Sequence, residues 1–160
     1  MQGQCAEIIS GRENGLFTLK TCLILPKTPE AVFSFFADAG NLERITPPWL
    51  RFQIRTPLPI EMRTGTRIEY RLRLHGIPIH WQTEITAWDP PHRFVDEQRR
   101  GPYRKWIHEH TFSGHDNGSE ISDFVKYDMV GGWLADFLFV RRDVRRIFAY
   151  RAQKILDYFS

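Results

Sequence analysis

His108 and His110 stand two residues apart in the run Trp106-Ile107-His108-Glu109-His110-Thr111-Phe112, and a carboxylate, Asp123, follows in the next strand-like run. On a strand, residues i and i+2 share a face, so both imidazoles point the same way, and an aspartate on the neighbouring strand comes within reach of one of them. Three chemistries use such a set. A carboxylate-oriented imidazole, with its ordinary pKa of about 6.5, serves as a general base. Two histidines and a carboxylate hold a metal ion. A buried imidazole satisfied by a carboxylate, a tyrosine hydroxyl or water orients a ligand or supports the core. The third role is the expected one, with catalysis by His108, His110 and Asp123 as the alternative. No metal is expected, because no third His or Cys lies nearby on that face. A second polar run, Asp96-Glu97-Gln98, is followed by Arg99, Arg100 and Arg104. Alternation turns either Glu97 or the Asp96 and Gln98 pair inward, and the apolar neighbour Phe94 favours the pair.

The elements that must hold these groups are read from periodicity. Residues 16–25 are β-rich between Gly15 and Pro26 and predict a strand. Thr28-Pro29-Glu30 supplies an N-cap, a first-turn proline and an early acid, so a short helix runs to about Ala37. A further helical turn or two over 42–45 stops at Pro47-Pro48. The period then changes to two: residues 52–55, 67–74, 79–88, 93–99 and 103–113 read as strands, with Gly76 and Pro78 turning the chain between the second and third. Asn117-Gly118 is the strongest hairpin signal, and with these two at the turn centre Glu109 faces Lys126. Ile68, Tyr70, Leu72 and Leu74 share a face. Trp106, His108, His110 and Phe112 share one with Asp123, Val125, Tyr127 and Met129. By parity Trp81 and Trp88 fall on opposite faces.

From Gly131-Gly132 onward, Trp133, Phe137, Val140, Val144, Ile147, Phe148 and Ile155 recur mostly at steps of three and four, which predicts one long amphipathic helix. Its other side carries Arg141, Arg142, Arg145, Arg146 and Lys154. Strands segregated from helices imply an α+β domain in which a curved antiparallel sheet grips that helix, with two short helices after the first strand. Between them, Tyr70, Leu72, Trp106, His108, Tyr127 and Phe137 are expected to line a cavity for a hydrophobic or amphipathic small molecule, with His110 and Asp123 as polar anchors.

The chain of 160 residues fits one domain, 16–160, preceded by residues 1–15 as a leader or an extra strand. Aromatic residues make up 14% of it, which suits a lined pocket or deep core. A net charge of +3 is too small for a nucleic-acid signature. The basic helix side is read first as a solvated face, with peripheral contact to an anionic surface as the alternative. Two cysteines, Cys5 and Cys22, form neither a disulfide framework nor a metal cluster, and with no leader or membrane span in view the expected location is cytoplasmic.

Several runs carry a resemblance to a known superfamily: Asn41-Leu42-Glu43-Arg44-Ile45-Thr46-Pro47-Pro48-Trp49-Leu50, Asp89-Pro90-Pro91-His92-Arg93-Phe94-Val95-Asp96-Glu97-Gln98, Gly101-Pro102-Tyr103, the Trp106–Phe112 run and Ile147-Phe148-Ala149-Tyr150-Arg151. With the element order, they resemble the START-like or SRPBCC superfamily, and within it the small bacterial ligand-binding and polyketide cyclase-like proteins. The resemblance spans residue 16 to the C-terminus. It implies the helix-grip fold and a hydrophobic ligand such as a lipid, an isoprenoid or quinone, or a polyketide, and no cofactor. It also implies two alternatives: aldol-type cyclisation or dehydration of a polyketone with His108 or His110 moving the proton, and a protein-interaction module using the same groove.

Overall fold

Alternating apolar and charged side chains make strands that bury one face. Eight such strands form one antiparallel sheet within residues 7–160, which the computed structural model describes. Cys5 and the start of the 1–15 segment lie outside the described residues. The strands are β1 (Glu7–Glu13), β2 (Leu16–Leu25), β3 (Gln53–Ile54), β4 (Arg67–Leu74), β5 (Ile77–Asp89), β6 (Arg93–Arg100), β7 (Lys105–His115) and β8 (Gly118–Asp128), in the order β1-β2-β8-β7-β6-β5-β4-β3. β4 shows the principle: Ile68, Tyr70 and Leu72 are buried while Arg67, Arg71 and Arg73 face solvent.

Helix α1 (Pro29–Ala37) starts where Thr28 Oγ1 accepts a hydrogen bond from the Ala31 N–H at 3.3 Å, and it buries Val32, Phe33 and Phe35. Two 3-10 segments follow, Ala39–Ile45 and Pro48–Leu50. At the C-terminal end, α2 (Gly132–Ala135), a π-helical turn (Asp136–Val140) and α3 (Arg141–Phe159) continue one another. α3 lies on the inner face of the sheet and is held by two apolar cores. Val144 and Phe148 pack with Phe17, Leu19, Val125 and Tyr127. Ala152, Ile155, Leu156 and Phe159 pack with Leu23, Leu25, Ile121 and the α1 residues Val32 and Phe33. A small third cluster of Ala39, Ile68 and Tyr70 lies under β4. Among the described residues no helix is long and apolar enough to cross a membrane.

Four local expectations are corrected, three of them by shifts of register or phase. The β7–β8 turn centres on Asp116 and Asn117, because His115 pairs with Gly118. Glu109 therefore faces Phe124 and bonds Arg93, and Lys126 pairs with Ile107 and reaches Glu13. Gly118 is needed elsewhere: at φ +130° it passes so close to β2 that a Cβ would lie 2.1 Å from the Leu25 carbonyl oxygen. In β5, Thr86 is an extra residue between the Ile85–Asp96 and Ala87–Val95 pairs. That bulge swaps parity, so Trp81 and Trp88 both face inward; Trp81 packs edge-on against Trp106, and Trp88 packs against Phe33.

Pro78 lies within β5 rather than in the turn, which is His75-Gly76. It is tolerated because β6 extends only to the Gln82–Arg100 pair, so no neighbour on that side asks for its N–H. Lastly, the π-helical turn adds a residue to the final helix, and Trp133 and Phe137 rotate out to solvent while Asp136 turns in and is fully buried.

Candidate functional site

Between the two cores, β4 to β7, the 3-10 segments and α3 enclose a cavity of about 210 Å³. Its wall is mostly apolar and aromatic, including Phe52, Leu74, Trp81, Phe94, Ile147 and Phe148. Of the residues expected to line it, Tyr70, Leu72, Trp106, His108 and His110 do so. Asp123 and Tyr127 are buried on the same sheet face but stand back from the cavity. Asp123 is covered by the two imidazoles, and Tyr127 by Trp106, Tyr103 and Phe17. Phe137 is 66% exposed and outside the cavity, a consequence of the π-helical turn.

One charged cluster is set into this wall. His108 Nε2–H donates to Asp123 Oδ1 at 2.8 Å, and His110 Nε2–H donates to Asp96 Oδ2 at 2.7 Å. His110 Nδ1 lies 2.9 Å from Asp123 Oδ1 but off the line of a hydrogen bond. Thr21 Oγ1 donates to Asp123 Oδ2 at 3.0 Å. The imidazoles lie 3.7 Å apart, ring centre to ring centre, and His110 stacks on Phe94 at 4.0 Å. Strand register makes this possible: His110 is directly opposite Asp123 in β8 and diagonal to Asp96 in β6.

Arg151 completes the cluster from the helix. Its Nη2 is 3.9 Å from Asp123 Oδ1, its guanidinium lies over the Phe36 ring, and it lines the cavity with its Nε–H unpartnered among the described residues. Sequence reasoning assigns it no role, although a signal is present: Arg151 lies in the stripe Val144, Phe148, Arg151, Ile155, where a cation faces the core. Alternation alone leaves Asp96 as one of two alternatives, and its inward side chain lines the cavity.

Burial alone pushes the Asp123 carboxyl up, but the Arg151 charge, the His108 hydrogen bond and the adjoining His110 ring hold it well below the ordinary carboxylate range. The same competition, led by burial and reversed by the His110 bond, leaves Asp96 lowered. Burial and the neighbouring His110 charge push His108 down. His110 moves up, because its hydrogen bond to Asp96 and the close Asp123 carboxylate outweigh burial. Of the two imidazoles His110 is therefore the more basic, and both lie between two carboxylates with a guanidinium beside them.

These opposite shifts set a pH profile. The raised His110 contributes stability that is full below its unfolded value of about 6.5 and is lost as pH rises through its folded pKa. The depressed His108 contributes stability that is full above about 6.5 and is lost as pH falls through its folded pKa. Stability is therefore expected to peak near neutrality in a denaturant-midpoint series. His110→Gln should flatten the alkaline side and His108→Gln the side just below neutrality. A profile unchanged by either substitution would exclude this charge assignment.

Asp96, His108 and His110 could offer three donors to a metal ion, with their atoms within 4.8 Å of one another. Asp96 and one nitrogen of each ring are already engaged within the cluster. The arrangement is equipped instead to hold an oxygen-bearing group at one spot of an apolar cavity, or to move a proton there.

A family model described as polyketide cyclase / dehydrase and lipid transport matches residues 25–149. No curated protein matches the chain significantly. Among solved structures, the chain is similar to protein Ms6760 of Mycobacterium smegmatis, at 18% identity and a TM-score of 0.73, over 96% of this chain and 98% of that one. It is similar to Ara h 8.0201, at 19% identity and a TM-score of 0.67, over 91% and 98%. It is also similar to major latex-like protein 151 of Panax ginseng, at 10% identity and a TM-score of 0.67, over 91% and 99%. At these identities the likeness establishes the fold.

Proposed function

Because the chain belongs to the polyketide cyclase / dehydrase and lipid transport family, we propose that it binds an amphipathic small molecule in the cavity between sheet and α3, of lipid, isoprenoid-quinone or polyketide type. The apolar wall supplies affinity by burying hydrocarbon, and the cluster orients an oxygen of the ligand. The observation that carries this reading is Arg151, a buried guanidinium set beside the His-Asp cluster in a mostly apolar wall, with an N–H that has no partner among the described residues. A buried donor of this kind is costly unless something accepts from it, and a carbonyl or carboxylate of a ligand would.

Native mass spectrometry of the purified chain, followed by extraction and identification of the molecule it carries, tests this. A bound oxygenated apolar compound is expected, with occupancy lost in Leu72→Trp, which fills the cavity. No bound species, and no uptake from a panel of fatty acids, quinones and aromatic polyketones, would overturn it. Proton transfer in a bound polyketone is the second reading, favoured by both imidazoles lining the cavity with Asp123 behind them. On that reading, turnover of the identified ligand falls by about a hundredfold or more in His108→Ala or His110→Ala, and its persistence in both removes the idea.

A further inference from the structure

Six of the eleven exposed large hydrophobic residues among those described fall in one short stretch: Val130, Trp133, Leu134, Phe137, Leu138 and Phe139. Phe137 and Phe139 are 66% and 64% exposed. This stretch is inverted relative to an ordinary surface helix, in which the carboxylate faces water and the rings face the core. Asp136 is the fully buried residue, accepting from Tyr127 Oη at 2.8 Å and from Arg141 Nε at 3.0 Å. The buried carboxylate and the π-helical turn hold the aromatic side chains outward.

From this inversion we infer that residues 130–139 form a membrane-docking tip that inserts into the interface of an anionic lipid bilayer. Two features select a bilayer over a protein partner. Phe137, Leu138 and Phe139 are consecutive in the π-helical turn, so their side chains spread over roughly half of its circumference. A single protein face does not cover that arc, whereas fluid acyl chains surround it. The rim is also cationic. Arg142 follows three residues after Phe139, and Arg104 and Lys105 stand at the adjoining sheet end, all exposed, with Arg104 N–H bonded to the Asp128 carbonyl and Lys105 paired with Asp128. Rings at headgroup depth with arginine and lysine around them match an anionic interface. A two-fold contact with a second copy would bring this cationic rim against itself.

Flotation of the full chain with vesicles tests the inference. Binding is expected to vesicles containing about one third phosphatidylglycerol and to be at least about tenfold weaker on phosphatidylcholine alone. It should weaken at least about tenfold in the double variant Phe137→Ser/Phe139→Ser, and severalfold in Arg142→Glu. Brominated lipid should quench tryptophan emission in the full chain and much less in Trp133→Phe. Should the double variant fail to fold, the Arg142→Glu and quenching results still decide. No flotation with anionic vesicles, or flotation indifferent to Arg142→Glu and without Trp133 quenching, overturns the inference. So does a dimer in sedimentation equilibrium that Phe137→Ser dissolves. The readout does not depend on the cavity's occupant, so this inference and the ligand reading fail separately.

Discussion

Asp123→Ala is expected to lower unfolding free energy by about 3–5 kcal/mol, the range for removing one partner of a buried ion pair. Asp123 is almost fully buried and is the shared acceptor of the cluster: His108, His110 and Arg151 all face Oδ1, and Thr21 bonds Oδ2. Its removal leaves the Arg151 guanidinium and the more basic imidazole, His110, in the core with only Asp96 to compensate them. Asp123→Asn separates charge from volume, since the amide fills the space and keeps one acceptor but no longer balances the cations. Urea denaturation of the three proteins measures the difference. A loss below about 1 kcal/mol in both variants would mean that the carboxylate is not balancing buried cations, and the charge assignment would fall.

Asp136→Ala should cost roughly 3 kcal/mol, most of it through Tyr127. Burial and the bond to Asp136 push the Tyr127 phenol above its ordinary range, so it remains a donor, and without Asp136 a buried hydroxyl loses its acceptor. Arg141 contributes less, because its side chain is 43% exposed and is rehydrated when the pair is lost. Tyr127→Phe removes the same hydrogen bond without stranding a donor, so the two substitutions should be strongly non-additive in a double-mutant cycle. Additive losses would show that the two groups do not act as a pair.

The architecture is legible in the chain because it rests on local signals that accumulate. The Thr28 cap, the alternation along Arg67–Leu74 and the glycine pair before the last helix each fix one element, and the segregation of strands from helices fixes the class. Cavity positions on β4 and β7 follow from alternation, which holds there without interruption. The features that the chain conceals are events of a single residue. The Thr86 bulge reverses the faces on either side of it, and the π-helical turn rotates everything before Arg141 relative to α3. Neither changes composition, and each is decided by long-range packing. Gly118 misleads for a related reason: glycine serves tight turns and close backbone approach equally well, and here the Leu25 carbonyl requires it. Arg151 escapes notice because an arginine on an apolar stripe passes for part of a solvated helix until its carboxylate partner is placed on a distant strand.

The two separate cores that hold α3 bear on how the cavity accommodates molecules of different size. A rod clamped at both ends cannot retreat from its midpoint without loosening one clamp, so the helical wall is the stiff one. The opposite wall, built on β3, β4 and the 3-10 segments, is backed by a smaller cluster in which only Ala39, Ile68 and Tyr70 are buried, and it ends in the two-residue strand β3 at the sheet edge. On the proposed ligand-binding reading, compliance therefore belongs to that side: a bulkier guest would be met by the β3–β4 edge, while the charged cluster beside α3 would keep its place.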